Sequence, residues 1–90
     1  MYQFKFYHTD GTISQTYLKC SKPEELYFDF DGLMDWDEYY SLYNKKLSVH
    51  EVLEYAFKVY KGFVKDYYKI EIINDETNEI IDYIEESEVK

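Results

Sequence analysis

Ser48-Val49-His50-Glu51-Val52-Leu53-Glu54-Tyr55-Ala56-Phe57-Lys58-Val59-Tyr60-Lys61-Gly62-Phe63 is the stretch from which the fold is read. Ser48 followed by Glu51 makes a capping box, in which the serine oxygen accepts from the glutamate amide and the glutamate carboxylate reaches back to the serine amide. Val49, Val52, Leu53, Ala56, Phe57, Tyr60 and Phe63 recur at helical spacing as one apolar stripe. Glu51, Glu54, Lys58 and Lys61 fall outside the stripe, and Glu54 with Lys58 is a well-oriented i,i+4 pair. Gly62 fits near the C-terminus. The spacing predicts an amphipathic helix that needs an apolar surface to cover it.

That surface is sought on both sides of the helix. Downstream, Tyr68, Ile70 and Ile72 alternate with Lys69 and Glu71, the period of a half-buried strand. Asn74 to Asn78 supplies turn residues, and Glu79 to Glu85 reads as a returning strand. Upstream, Tyr2, Phe4 and Phe6 alternate with Gln3 and Lys5. Asp10-Gly11 then signals a type I′ hairpin turn, with a return strand over Thr12 to Cys20. Ser21-Lys22-Pro23-Glu24 predicts a helix start, capped by Ser21, and Gly32 ends that helix after about Asp31. Asp35 with Glu38 marks a further N-terminus, followed by Trp36, Tyr40, Tyr43 and Leu47 at helical spacing. The order is ββ-α-α-α-ββ. The expected fold is α+β: a four-stranded antiparallel sheet from two hairpins with the helices packed on one face.

Ninety residues make a single domain, 1–90, with residues 86–90 expected to fray. A chain of this size buries about 60–65% of its unfolded surface, and rings compensate for the small core. Twelve Tyr, six Phe and one Trp are present, and each buried ring removes about 150–250 Å² from water. No apolar run approaches membrane-spanning length. The chain opens Met1-Tyr2-Gln3-Phe4-Lys5 without an apolar leader, and Cys20 has no second cysteine to pair with, so the expected compartment is a reducing cytoplasm.

Net charge is −9, with ten Lys and no Arg. Arg is the usual fork for phosphate and guanine, so direct nucleic-acid binding is not expected, nor is an anionic membrane. The charge is segregated. Residues 24–44 hold Glu24, Glu25, Asp29, Asp31, Asp35, Asp37 and Glu38 with no basic residue, and residues 70–90 hold eight acids with only Lys90. Folding does not require such clustering, because like charges close together repel. A concentrated negative field steers a positively charged partner and orients it.

Leu26-Tyr27-Phe28-Asp29-Phe30-Asp31-Gly32-Leu33 resembles the first motif of the haloacid-dehalogenase-type phosphatases, an apolar strand followed by Asp-x-Asp-Gly-Thr. The resemblance implies Asp29 as nucleophile and Asp31 as general acid. It covers eight residues, Leu33 stands where that family has Thr, and 90 residues do not hold the family's larger parallel sheet and further motifs. The same stretch fails as an EF-hand loop, since Gly32 is fourth from Asp29 where the pattern needs Gly sixth. His8 and His50 have no Cys or second His at ligand spacing, and no phosphate-binding glycine loop exists. The expectation is a chain without catalytic residues, metal or cofactor.

The expected function is binding. A small acidic protein occupies the nucleic-acid groove of a basic enzyme by presenting carboxylates where phosphates would lie, as anti-CRISPR and anti-restriction proteins of phages and mobile elements do. The expected contacts are Glu24, Glu25, Asp29, Asp31, Asp35, Asp37 and Glu38, with Trp36, Tyr39 and Tyr40 as anchors and Glu79, Asp82, Glu85 and Glu86 as a second patch. Two alternatives share part of this pattern. One is an immunity or antitoxin-type protein that blocks a basic toxin; the other is a structural module that forms homodimers through a sheet edge or an aromatic face.

Overall fold

The computed structural model describes residues 1–89. Within them, β1 (Tyr2–His8), β2 (Ile13–Gln15), β3 (Tyr67–Asn74) and β4 (Ile80–Glu85) form an antiparallel sheet in the order β2-β1-β3-β4. A 3-10 segment (Pro23–Phe30), α1 (Trp36–Tyr43) and α2 (Val49–Val59) run between the two hairpins. The α+β class, the element order and the antiparallel sheet are those the sequence predicts.

The core lies between sheet and helices. Phe4 and Phe6 on β1, Ile70 and Ile72 on β3, and Ile84 on β4 meet Leu26 and Phe30, Leu42, and the α2 stripe of Val52, Leu53, Ala56 and Phe57. Both halves of the capping box are formed, with Ser48 Oγ accepting from Glu51 N and Glu51 Oε1 accepting from Ser48 N. Tyr60 stands edge-on to Phe4, Phe6 and Phe30 at 5.7, 5.1 and 5.8 Å between centroids, the arrangement that sets ring edges against ring faces.

The structure departs from the sequence reading at several joints. The first turn is not type I′, because Gly11 has φ +90° while Asp10 keeps a negative φ. Instead Gly11 N donates to His8 O and His8 N to Thr12 O, a three-residue loop closed by a left-handed glycine. The Asp10 carboxylate braces it by accepting from the Thr12 amide and hydroxyl. The return strand is three residues long, not nine. Thr16 Oγ1 accepts from Phe4 N, taking a ladder position with a side chain, and Tyr17 is thrown outward. The chain rejoins β1 only through the Tyr2–Cys20 bridge.

The first predicted helix is a 3-10 segment, and Ser21 does not cap it: Lys22 holds the cap position without a side-chain bond. Phe63 is not part of the α2 stripe. The helix ends at Val59, Gly62 turns the chain at φ +88°, and Phe63 emerges 63% exposed. At the other end, Glu86–Glu88 forms a 3-10 turn and Val89 packs against the core, so contacts continue past the strand where fraying was expected. Lys90 lies outside the described residues. No helix among the described residues is long and apolar enough to cross a membrane.

Candidate partner-binding surface

Helix α1 presents a face that its spacing did not foretell. Tyr39 and Leu42 turn inward and are buried, whereas Trp36, Tyr40 and Tyr43 stand 61%, 50% and 57% exposed. These three are spaced i, i+4, i+7, so they form one outward ridge. Leu47, read in the same stripe, does enter the core, but from beyond the helix end at Asn44. Tyr39 is therefore a core residue and not a contact anchor.

The rings of the ridge lean on one another and on the 3-10 segment. Trp36 meets Tyr40 edge-on at 4.7 Å, and Tyr43 contacts Tyr27 at 6.0 Å and Phe28 at 5.8 Å. Tyr27 and Phe28 belong to the 3-10 segment, so aromatic contacts bolt α1 to its neighbour. Burial pushes the Tyr27 and Tyr39 hydroxyls above the usual tyrosine range. A side chain already held in place loses less freedom when a partner closes over it.

The acids of residues 24–38 lie on α1 and on the segment that leads into it. Asp31, Asp35, Asp37 and Glu38 are exposed, while Glu24, Glu25 and Asp29 are half-buried. Asp35 holds the N-cap position of α1, yet its carboxylate makes no capping bond; its carbonyl accepts from Tyr39 N instead. Among the described residues, none of these seven acids forms an ion pair. Asp29 differs from the rest, because it accepts a hydrogen bond from the Tyr60 hydroxyl.

The second acidic stretch is not a patch. Asp82 lies on the helix side of β4, where Oδ2 meets His50 Nδ1 at 3.0 Å. Glu85 is registered opposite Lys69 and is half-buried. Glu79 and Glu86 are exposed at opposite ends of the strand. The 3-10 segment packs on β1 and α2, and α2 packs on β3 and β4. Helix α2, with exposed Lys58, thus stands between the two acidic stretches.

The residues weighed for chemistry have structural partners. His8 is buried, with Nδ1 2.9 Å from the Lys65 carbonyl and Nε2 2.6 Å from Ser14 Oγ. A carbonyl only accepts, so Nδ1 carries a proton. Cys20 is buried with its thiol directed at the Glu25 carbonyl, and burial pushes its pKa up, away from nucleophilic use. Among the described residues, no three His, Cys, Asp or Glu side chains gather in a way that could hold a metal ion.

One constellation escaped the sequence reading. Glu71 is 2% exposed although it lies on the sheet face turned away from the helices. The Tyr7 hydroxyl donates to its Oε1 at 2.7 Å, and Lys69 Nζ lies 3.4 Å from Oε2. Lys69 also sits over the rings of Tyr7 and Tyr83 at 5.2 and 4.9 Å. Burial and the Glu71 carboxylate push the Tyr7 hydroxyl up to about 12. Alternation put Lys5 on the outer face of the first strand and Lys69 and Glu71 on that of the third; only the β1–β3 register brings Tyr7, Lys69 and Glu71 together.

Comparison with protein-family models, curated proteins and solved structures gave no match.

Proposed function

We propose that this chain is a non-catalytic inhibitor that binds a basic protein surface of the kind that otherwise holds nucleic acid. The observation that carries the reading is the ridge of Trp36, Tyr40 and Tyr43, exposed on one side of α1, a helix that also carries the exposed, unpaired carboxylates of Asp37 and Glu38 and follows those of Asp31 and Asp35. Aromatic rings supply anchoring area, and the carboxylates supply steering and register against Lys and Arg of the partner. The binding surface is narrower than the sequence reading has it. Tyr39 and Asp29 serve the fold, and Asp82 and Glu85 face opposite sides of β4.

The partner is a DNA- or RNA-handling enzyme in a reducing cytoplasm, such as a nuclease of a defence system. The test is competition. Purified RNA-guided and restriction nucleases are titrated with the chain, and DNA binding and cleavage are followed at rising salt. The expected result is loss of DNA binding by one such enzyme, reversed by excess duplex DNA and weakened as ionic strength rises. Neutralising Asp35, Asp37 and Glu38 to Asn, Asn and Gln is expected to weaken inhibition by about tenfold or more. Binding that ignores both duplex DNA and salt overturns the mimicry reading. Tight binding to a basic toxin without competition from DNA points to the immunity-type alternative.

A further inference from the structure

The groove between residues 33–38 and α2 has charges of both signs on separate walls. It is a shallow, open depression of about 530 Å³. Asp35 and Glu38 enter it from the start of α1, and Lys58 and Lys61 from α2 and the turn that follows. Among the described residues, none of these four charges is within ion-pair distance of an opposite charge. Apolar side chains lie between them, including Met34 and the outward-turned Phe63.

We propose that this groove is a self-association surface, occupied by the same groove of a second copy across a two-fold axis. In an isologous contact every residue meets its counterpart reciprocally. A two-fold axis through the groove sets the Asp35–Glu38 wall of each copy against the Lys58–Lys61 wall of the other. The exposed Phe63 rings then close over shared apolar ground. The patch is complementary to itself, which a purely acidic surface is not. Such a dimer covers Asp35 and Glu38, so self-association and capture of a basic partner compete. The inference goes beyond the proposed inhibition and stands or falls by a different measurement.

The experiment is analytical ultracentrifugation of the full chain at physiological ionic strength, from micromolar to millimolar concentration. Wild type is expected to show a reversible, concentration-dependent dimer. Lys58→Glu with Lys61→Glu, and separately Asp35→Lys with Glu38→Lys, are each expected to weaken it by about tenfold or more. An equimolar mixture of the two double variants is expected to form a heterodimer. From −9, each double reversal shifts the charge by four, so both variants stay acidic and mixing brings no general attraction. All four positions are exposed, and circular dichroism verifies that the variants fold. A wild type that stays monomeric at every concentration, or a mixture that does not associate when wild type does, overturns the proposal. Inhibition of a nuclease by a strictly monomeric wild type leaves the proposed function standing while removing this one.

Discussion

The Tyr60 hydroxyl donates its hydrogen bond to the Asp29 carboxylate, joining the turn that closes α2 to the 3-10 segment in front of α1. Tyr60 is also the ring on which Phe4, Phe6 and Phe30 converge. One side chain therefore ties the centre of the core to the acidic stretch and removes Asp29 from the carboxylates open to a partner. Hydrogen bonds to a charged group contribute about 1.5–3 kcal/mol, so Tyr60→Phe is expected to destabilise the fold by about that amount. Chemical denaturation measures it. A variant within experimental error of wild type would mean that the bond is of no consequence in solution.

Alkaline pH is expected to unfold the chain through the same hydroxyl and two others. Burial, together with the Asp29 carboxylate, holds Tyr60 above the ordinary tyrosine value of 10.0. Tyr67 and Tyr7 are pushed up to about 12. Each group stays protonated in the folded state after its unfolded counterpart has ionised. The contribution of Tyr67 and Tyr7 is therefore complete below pH 10 and is lost as pH rises towards 12, and that of Tyr60 declines from pH 10 upward across the same window. Thermal midpoints read across that window should fall, and Tyr60→Phe and Tyr67→Phe should each flatten the slope. A flat profile between those values contradicts the assignment.

Tyr39 and Tyr40 are neighbours with opposite expected roles. Tyr39→Ala empties a core position and is expected to cost about 3–5 kcal/mol of stability. Tyr40→Ala and Trp36→Ala touch exposed rings and are expected to leave stability within about 1 kcal/mol, while costing about 2 kcal/mol in binding to a partner. Melting curves and titrations separate the two effects. Equal stability losses at positions 39 and 40 would place the ridge inside the fold and not on its surface.

Ser48→Ala is expected to remove one half of the capping box and cost about 1 kcal/mol. In a domain of this size that lowers the midpoint by about 4–8 °C. Glu51 is held below the usual carboxylate range mainly by the Ser48 amide. Its contribution is present at neutral pH and fades as pH falls through its lowered value. Ser48→Ala keeps the Ser48 backbone donor, so it should leave that acid dependence largely in place, whereas Glu51→Gln should blunt it.

What was legible in the sequence divides along physical lines. The capping box and stripe of α2 were readable because each of Ser48, Glu51, Val52, Ala56 and Phe57 lies within four residues of the next. The outward face of α1 was not. In an eight-residue helix with four rings, the series Trp36, Tyr40, Tyr43 and the pair Tyr39, Leu42 are both helical in spacing, and only the surface offered by the rest of the core decides which is buried. The shortening of β2 depended on one hydroxyl, Thr16, substituting for a ladder group. The Glu71 constellation requires partners from strands 64 residues apart, which no local pattern encodes.

The sheet order also sets a timetable. Strand β1 is synthesised before β3, yet the longer of its two ladders is made with β3, whose last residue is Asn74. Until β3 has been synthesised, the β1–β2 hairpin rests on a three-residue pairing, and α2 has no complete surface to cover. The apolar face of α2 then waits in solvent beside a run of seven carboxylates with no lysine among them. Like charges repel, so this stretch sets an electrostatic cost against contact between the uncovered α2 faces of two unfinished chains.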